Sequence, residues 1–147
     1  MKYVLDTDIL IYYLKNQPHV VKKFATTDPD EIATTIINYT ELLFGAYNSF
    51  KVSDNLLKIK AFLDNIVIIY LDKAGSEIFA QLKTQLKQEG HIIADMDLLI
   101  ASICIAHRLI LVTNNTKHFS RLNQLTLENW SVPPSEYWRG TVQSRMG

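Results

Sequence analysis

Short apolar runs rich in β-branched residues alternate with segments of helical period along nearly the whole chain, and this constrains the fold more than any other feature. Residues 2–6, 31–37, 66–70 and 109–113 read as strands, and 126–128 as a fifth. Between them, 8–15, 18–26, 39–50, 53–64, 72–89 and 95–107 carry apolar residues at helical spacing. Unbroken apolar strands are those covered on both faces, and alternation of strand and helix builds a parallel sheet between two helical layers. The expectation is an α/β fold, three-layer α/β/α, around a central, mostly parallel sheet of four to five strands. Punctuation agrees: Pro18 opens a helix, Asp28-Pro29-Asp30 makes a turn, and Gly90 stops the long helix before it. Ser53 reads as the N-cap of 53–64, and Asn38 or Thr40 as the cap of 39–50.

A chain of 147 residues is most economically one domain. Residues 1–132 are expected to hold it, with a polar tail at 133–147 to which no role is assigned. Lys plus Arg and Asp plus Glu are 15 each, for zero net charge. A large phosphate-tracking surface would leave a basic footprint; an enzyme whose metal ions supply the positive charge locally would not. The longest apolar run, 66–71, is far too short to span a bilayer. Met1-Lys2 leads into no extended apolar stretch, so no signal peptide is expected. Cys104 is the only cysteine. It is expected to be a buried structural thiol in a reducing, cytoplasmic setting.

Three acidic residues stand where a strand or loop hands over to a helix. Asp6 ends the run Tyr3-Val4-Leu5, Glu41 follows Asn38-Tyr39-Thr40, and Asp97 precedes Leu98-Leu99-Ile100. In a parallel α/β sheet, sites form beyond the carboxyl ends of the strands. Clustered carboxylates repel and raise one another's pKa unless a cation relieves them. Mg²⁺ or Mn²⁺ accepts such oxygen ligands and keeps several waters. It could then polarise a phosphoryl oxygen and acidify a bound water. Each residue has a plainer reading too. Asp6 could cap the helix that follows it. Glu41 and Asp97 suit a helix N-terminus for its dipole alone, and Asp95 and Asp97 both read as caps. Asp8 could cap its helix, aim a second carboxylate at the site or stay solvated. Thr113 and Asn115, just past a strand, could orient a carboxylate or a water, or simply form a turn. His19, His91, His107 and His118 lack the spacing of a zinc site, and no Gly-rich phosphate loop is present.

The order of these segments resembles the PIN-domain family. Val4-Leu5-Asp6-Thr7-Asp8-Ile9-Leu10-Ile11-Tyr12 is similar to its first motif and Thr40-Glu41-Leu42-Leu43-Phe44-Gly45-Ala46 to its second. Ile93-Ala94-Asp95-Met96-Asp97-Leu98-Leu99-Ile100-Ala101-Ser102 is similar to the third, and Leu111-Val112-Thr113-Asn114-Asn115-Thr116-Lys117-His118-Phe119 to the fourth. Each motif is short, but four in order over residues 2–130 are specific together. VapC-type toxins of bacterial toxin–antitoxin pairs look nearest. The resemblance implies a PIN-like fold and an Mg²⁺- or Mn²⁺-dependent endoribonuclease. It also implies a homodimer and inhibition by a cognate antitoxin, with DNA reached only through the antitoxin complex. It carries the acidic site to Asp6, Glu41 and Asp97 as metal ligands, with Thr113 as the site hydroxyl. Asn115 stands near the place where a fourth acid often occurs, so a second metal position loses a charge. The substrate expected is a structured RNA loop, whose splayed nucleotides reach a recessed site.

Three rivals share some of these features. Asp6-Thr7-Asp8 is similar to the opening of haloacid-dehalogenase-type phosphatases, but the acidic pair Asp95 and Asp97 precedes Thr113 rather than following it. Asp72 after the third strand imitates the phosphoacceptor of a receiver domain. A catalytically degenerate PIN domain would be an interaction module only. Ile11, Tyr12, Phe44, Tyr47 and Phe50 read either as core or as a patch for an amphipathic partner helix.

Overall fold

The computed structural model describes residues 1–133. Five short strands form one sheet: β1 (Tyr3–Leu5), β2 (Ile32–Thr35), β3 (Val67–Ile69), β4 (Ile110–Val112) and β5 (Thr126–Glu128). Their order is β3-β2-β1-β4-β5. Every neighbouring pair is parallel, so the sheet is wholly rather than mostly so. Helices α1 (Thr7–Leu14) and α2 (Pro18–Ala25) link β1 to β2, and α3 (Ile36–Tyr47) and α4 (Val52–Leu63) link β2 to β3. Helices α5 (Lys73–Gln88) and α6 (Asp95–His107) lead to β4, and α7 (Thr116–Phe119) to β5.

Chain direction decides which face each helix covers. From β1 through β2 to β3 the chain steps one way across the sheet; it then returns to lay β4 on the other side of β1. Right-handed crossovers put the helices of opposite steps on opposite faces. Two separate cores result. Ile9, Leu10, Val20, Leu42, Ala46, Ile59 and Leu63 pack with Tyr3, Leu5, Ile32 and Val112 on one face. Leu82, Leu86, Leu98, Ile100, Ile103 and Phe119 pack with Val4, Ala33 and Leu111 on the other. Alternate strand residues thus feed alternate cores, as the pleat requires. Helix α1, with 8 residues, is too short to persist alone in water. Burying Ile9 and Leu10 completely holds it, each contributing roughly 1.5–3 kcal/mol.

Several boundaries move for identifiable reasons. Strand β2 ends at Thr35 because that residue caps α3: its hydroxyl accepts from the Ile37 and Asn38 N–H groups, and Asn38 closes a capping box. Helix α3 therefore starts before residue 39, and Asn38 and Thr40 are not its N-caps. Glu41 moves out of the first turn. Helix α4 begins at Val52, so Ser53 lies inside it, and the N-cap Lys51 makes no side-chain cap bond. Ala94 occupies the N-cap of α6, so Asp95 and Asp97 sit in its first turn and cap nothing. The short α7 carries too little periodicity to read from sequence. Gly90 stands just past α5 with φ +74, the left-handed geometry that glycine accepts readily. The tail at 134–147 lies outside the described residues.

Candidate active site

Strand order reverses at β1 and β4, so the crevice beyond their carboxyl ends is the topological switch point where α/β sheets bind ligands. Asp6 follows β1 and Thr113 follows β4, and the ladder continues to Asp6, whose N–H donates to Val112 O at 2.9 Å. Asp6 is 7% exposed. Its carboxylate accepts three side-chain or cap bonds: the Thr7 N–H at 2.9 Å and Asn38 Nδ2 at 3.1 Å reach Oδ1, and Thr113 Oγ1 at 2.8 Å reaches Oδ2. The bond from Thr7 is the N-cap of α1, so the capping and site readings of Asp6 hold together.

Glu41 projects from α3 one turn beyond Asn38. Its Oε1 accepts Thr7 Oγ1 at 2.7 Å, and Thr7 Oγ1 accepts Asn38 Nδ2 at 2.9 Å. Asp6 and Glu41 are thus tied through Thr7, which Asn38 braces against Asp6. Asp97 enters from α6. Its charge acts on both Asp6 and Glu41, and its Oδ2 lies 3.2 Å from His118 Nε2 on α7. That nitrogen is buried without an aligned hydrogen bond, so the contact is an electrostatic approach rather than a well-formed bond. Asp8 makes a fourth carboxylate: Oδ2 accepts the Asn114 N–H at 3.0 Å, with Thr113 Oγ1 at 3.4 Å.

The electrostatics are those of acids crowded into a cleft. Burial first, with the Asp97 charge adding to it, holds Asp6 above the ordinary carboxylate range despite its three donors. Burial and the neighbouring Asp6 push Asp8 up to about 6. Burial, then Asp6 and Asp97, raises Glu41. Among the described residues no lysine or arginine ion-pairs with any of the four, since the three ion pairs are Lys83–Asp95, His107–Asp72 and His118–Asp97.

Asp6, Glu41 and Asp97 supply only hard oxygen donors, which suit Mg²⁺ or Mn²⁺ and not zinc. Among the described residues no three His, Cys, Asp or Glu side chains form a ready-made chelate. That does not conflict with the electrostatic crowding, because Mg²⁺ needs only one or two direct carboxylates and reaches others through its waters. The donor set fits a hydrated hard cation.

Asn115 is exposed; its N–H donates to Thr113 Oγ1 at 3.0 Å. That bond leaves the Thr113 proton for Asp6. Sequence reasoning missed Asn38, Thr7, His118 and Asn114. Asn38 is fully buried, and its place three residues before Glu41 on one helix face was the available signal. Asn114 Nδ2 meets the Tyr12 hydroxyl at 3.3 Å, and Asn114 Oδ1 accepts from Asn129 and Ser131 at 3.0 Å each. Those contacts pin the loop after β4. Asp72 caps α5, donated to by the Gly75 N–H at 2.9 Å. It also pairs with His107 at 2.9 Å, which accounts for its carboxyl without a phosphoacceptor role.

The PIN domain, as a family profile, matches residues 3–125. Ribonuclease VapC2 of Rickettsia felis is 38% identical over 88% of this chain and 98% of that protein. The tRNA(fMet)-specific endonuclease VapC of Shigella flexneri is 31% identical over 89% of this chain and 99% of that protein. This chain belongs to the PIN-domain family, among its VapC ribonucleases. The solved structure of VapBC2 from Rickettsia felis bound to a DNA fragment from their promoter shares this fold. Its TM-score is 0.82 at 37% identity, over 88% of this chain and 99% of that one. The expected PIN-like α/β/α architecture is therefore present, and the acidic cleft lies within the PIN domain.

Proposed function

We propose that this VapC-type PIN domain is the toxin of a toxin–antitoxin pair, cutting RNA phosphodiester bonds with Mg²⁺ or Mn²⁺ held by Asp6, Glu41 and Asp97. The observation that carries the reading is the convergence of these carboxylates in one cleft, each held above or pushing the others above the ordinary range, with no lysine or arginine among the described residues ion-paired to them and only His118 near Asp97. A bound cation supplies Lewis acidity toward a phosphoryl oxygen and toward water. The chain's own groups do the rest. Asp6, fixed by Thr7, Asn38 and Thr113, is the rigid ligand. Glu41 has Oε1 engaged by Thr7, leaving Oε2 to accept a proton from the attacking water; its raised pKa brings it closer to the working range of a general base. Thr113 orients Asp6, and Asn115, exposed at the cleft mouth, is placed to orient water or a phosphate oxygen.

An antitoxin has a surface to meet. A groove of about 440 Å³ is lined by Ile11, Leu14, Leu42, Ala46 and Ile59, with Glu41 at its wall. Phe44, Tyr47 and Phe50 beside it are 69%, 63% and 108% exposed. Exposed aromatic clusters of this kind accept amphipathic helices. Because Glu41 belongs to both groove and cleft, a helix lying there would cover the acids. Promoter DNA would be met through the antitoxin, in keeping with the neutral chain, and the working unit would be a cytoplasmic homodimer.

The decisive experiment is RNA cleavage by the antitoxin-free chain with Mn²⁺, then with EDTA. Cleavage lost in EDTA and restored by Mn²⁺ is expected; undiminished cleavage in EDTA overturns the cation mechanism. Sedimentation of the purified chain checks the homodimer.

A further inference from the structure

We infer that Asn38 and Thr7 are positioning residues forming a one-way hydrogen-bond relay, launched from the N-cap of α3, that holds Asp6 and Glu41 in a single fixed relation. The consequence for cation binding rests on the reading above; the relay itself rests on donor and acceptor identity.

The direction follows from the one group that cannot reverse. The backbone N–H of Thr35 can only donate, and it meets Asn38 Oδ1 at 3.3 Å. That side-chain atom is therefore the oxygen. Thr35 Oγ1 accepts the N–H groups of Ile37 and Asn38 at 3.2 Å each, so its own proton goes to Asn38 Oδ1 at 2.7 Å. The amide polarity of Asn38 is thereby set, and both Nδ2 protons face the site. One meets Asp6 Oδ1 at 3.1 Å and the other Thr7 Oγ1 at 2.9 Å. Having accepted there, Thr7 gives its single proton to Glu41 Oε1 at 2.7 Å. Each member has one role, and reversing any link sets two donors against each other.

The cap alone does not require this. A capping box uses only an acceptor at the third helical position, and an aspartate at 38 would close it. It would also bring a further charge and no donor. The asparagine NH₂ is thus surplus to the helix, yet both of its protons are spent on site atoms inside a fully buried side chain. Ligand carboxylates held by such outer hydrogen bonds are pre-oriented for the cation.

The test uses the full chain and two readouts. In the metal-free state, NMR should find both Asn38 side-chain amide protons and the Thr7 hydroxyl proton protected from solvent exchange. Thr7→Val should release one amide proton. Free exchange in the unsubstituted chain, or an unchanged pattern in Thr7→Val, overturns the relay. By calorimetric titration with MnCl₂, Thr7→Val should bind about 10- to 100-fold more weakly, and Thr7→Ser, which keeps the hydroxyl, should return to within about threefold. Equal Mn²⁺ affinity in Thr7→Val overturns the positioning role. Should the unsubstituted chain take up no Mn²⁺, the cation mechanism falls by itself and the amide-exchange result alone decides the relay.

Discussion

The acidic cleft has two unequal sides. On the β1–α3 side, Thr7 bonds both Asp6 and Glu41 while Asn38 braces Asp6 and Thr7, and every link is shorter than 3.4 Å with a defined donor. On the α6–α7 side, Asp97 is half-buried, and its ion-pair partner among the described residues is His118, at 3.2 Å and poorly aligned. One side is a rigid frame and the other an adjustable jaw. The difference comes from chain layout. Asp6, Thr7 and Asn38 issue from adjacent strands of the sheet centre, β1 and β2, whereas His118 rides on a helix of four residues between two strand ends.

Breaking the frame should have the largest effect. Asp6→Asn keeps the size and the cap while removing the charge. It should lower RNA cleavage by more than about 100-fold, beyond what loss of an outer hydrogen bond does, with the melting temperature kept or raised; kinetics and thermal unfolding check both.

Charge relief should come next. Asp8 has a folded pKa of about 6 against the ordinary 3.8 because burial favours its neutral form. The metal-free protein is thus favoured below the unfolded value, and that advantage is lost as pH rises from about 4 through 6. At pH 7.5 without metal, Asp8→Asn should gain about 2 kcal/mol in chemical denaturation, and the gain should vanish by pH 4. A variant no more stable than the parent at pH 7.5 would show Asp8 to be unstrained.

The jaw should matter less. His118→Ala, removing the ion-pair partner of Asp97 among the described residues, should weaken Mn²⁺ binding by about tenfold, at the low end of outer contacts. It should leave the Asn38 amide protons protected, since the frame does not include it. Loss of that protection would join the two sides into one unit.

The smallest effect lies one turn past Glu41 on α3, at a position with no role in the relay. A Cβ at Gly45 meets nothing within 4 Å, so Gly45→Ala inside α3 should stabilise by about 0.5–1 kcal/mol. It should leave cleavage unchanged, as denaturant titration and the RNA assay would show.

Much of the architecture was legible because the signals were periodic. Apolar runs at β1, β3 and β4 announce a sheet between helical layers, and Asp6 and Asp97 sit at a strand or loop handover, whereas Glu41 lies inside α3 as its sixth residue. Boundaries near Thr35 were not legible: a threonine that ends a strand and caps a helix looks like either from sequence, and only its two accepted N–H bonds decide. Asn38 reads as a cap from sequence and is instead the partner of one, with its amide protons turned to Asp6 and Thr7. His118 is not legible as a site residue, because the histidine spacing makes no zinc site and its partner is a carboxylate 21 positions earlier in the chain.

The chain alone determined the kinds of elements and their order, since periodicity and turn chemistry are local. Tertiary structure decided which faces the helices cover, which acids share a cleft and which way protons point between them. Those depend on the reversal of strand order at β1 and on the single N–H of Thr35, and neither pairing has a local trace in the sequence.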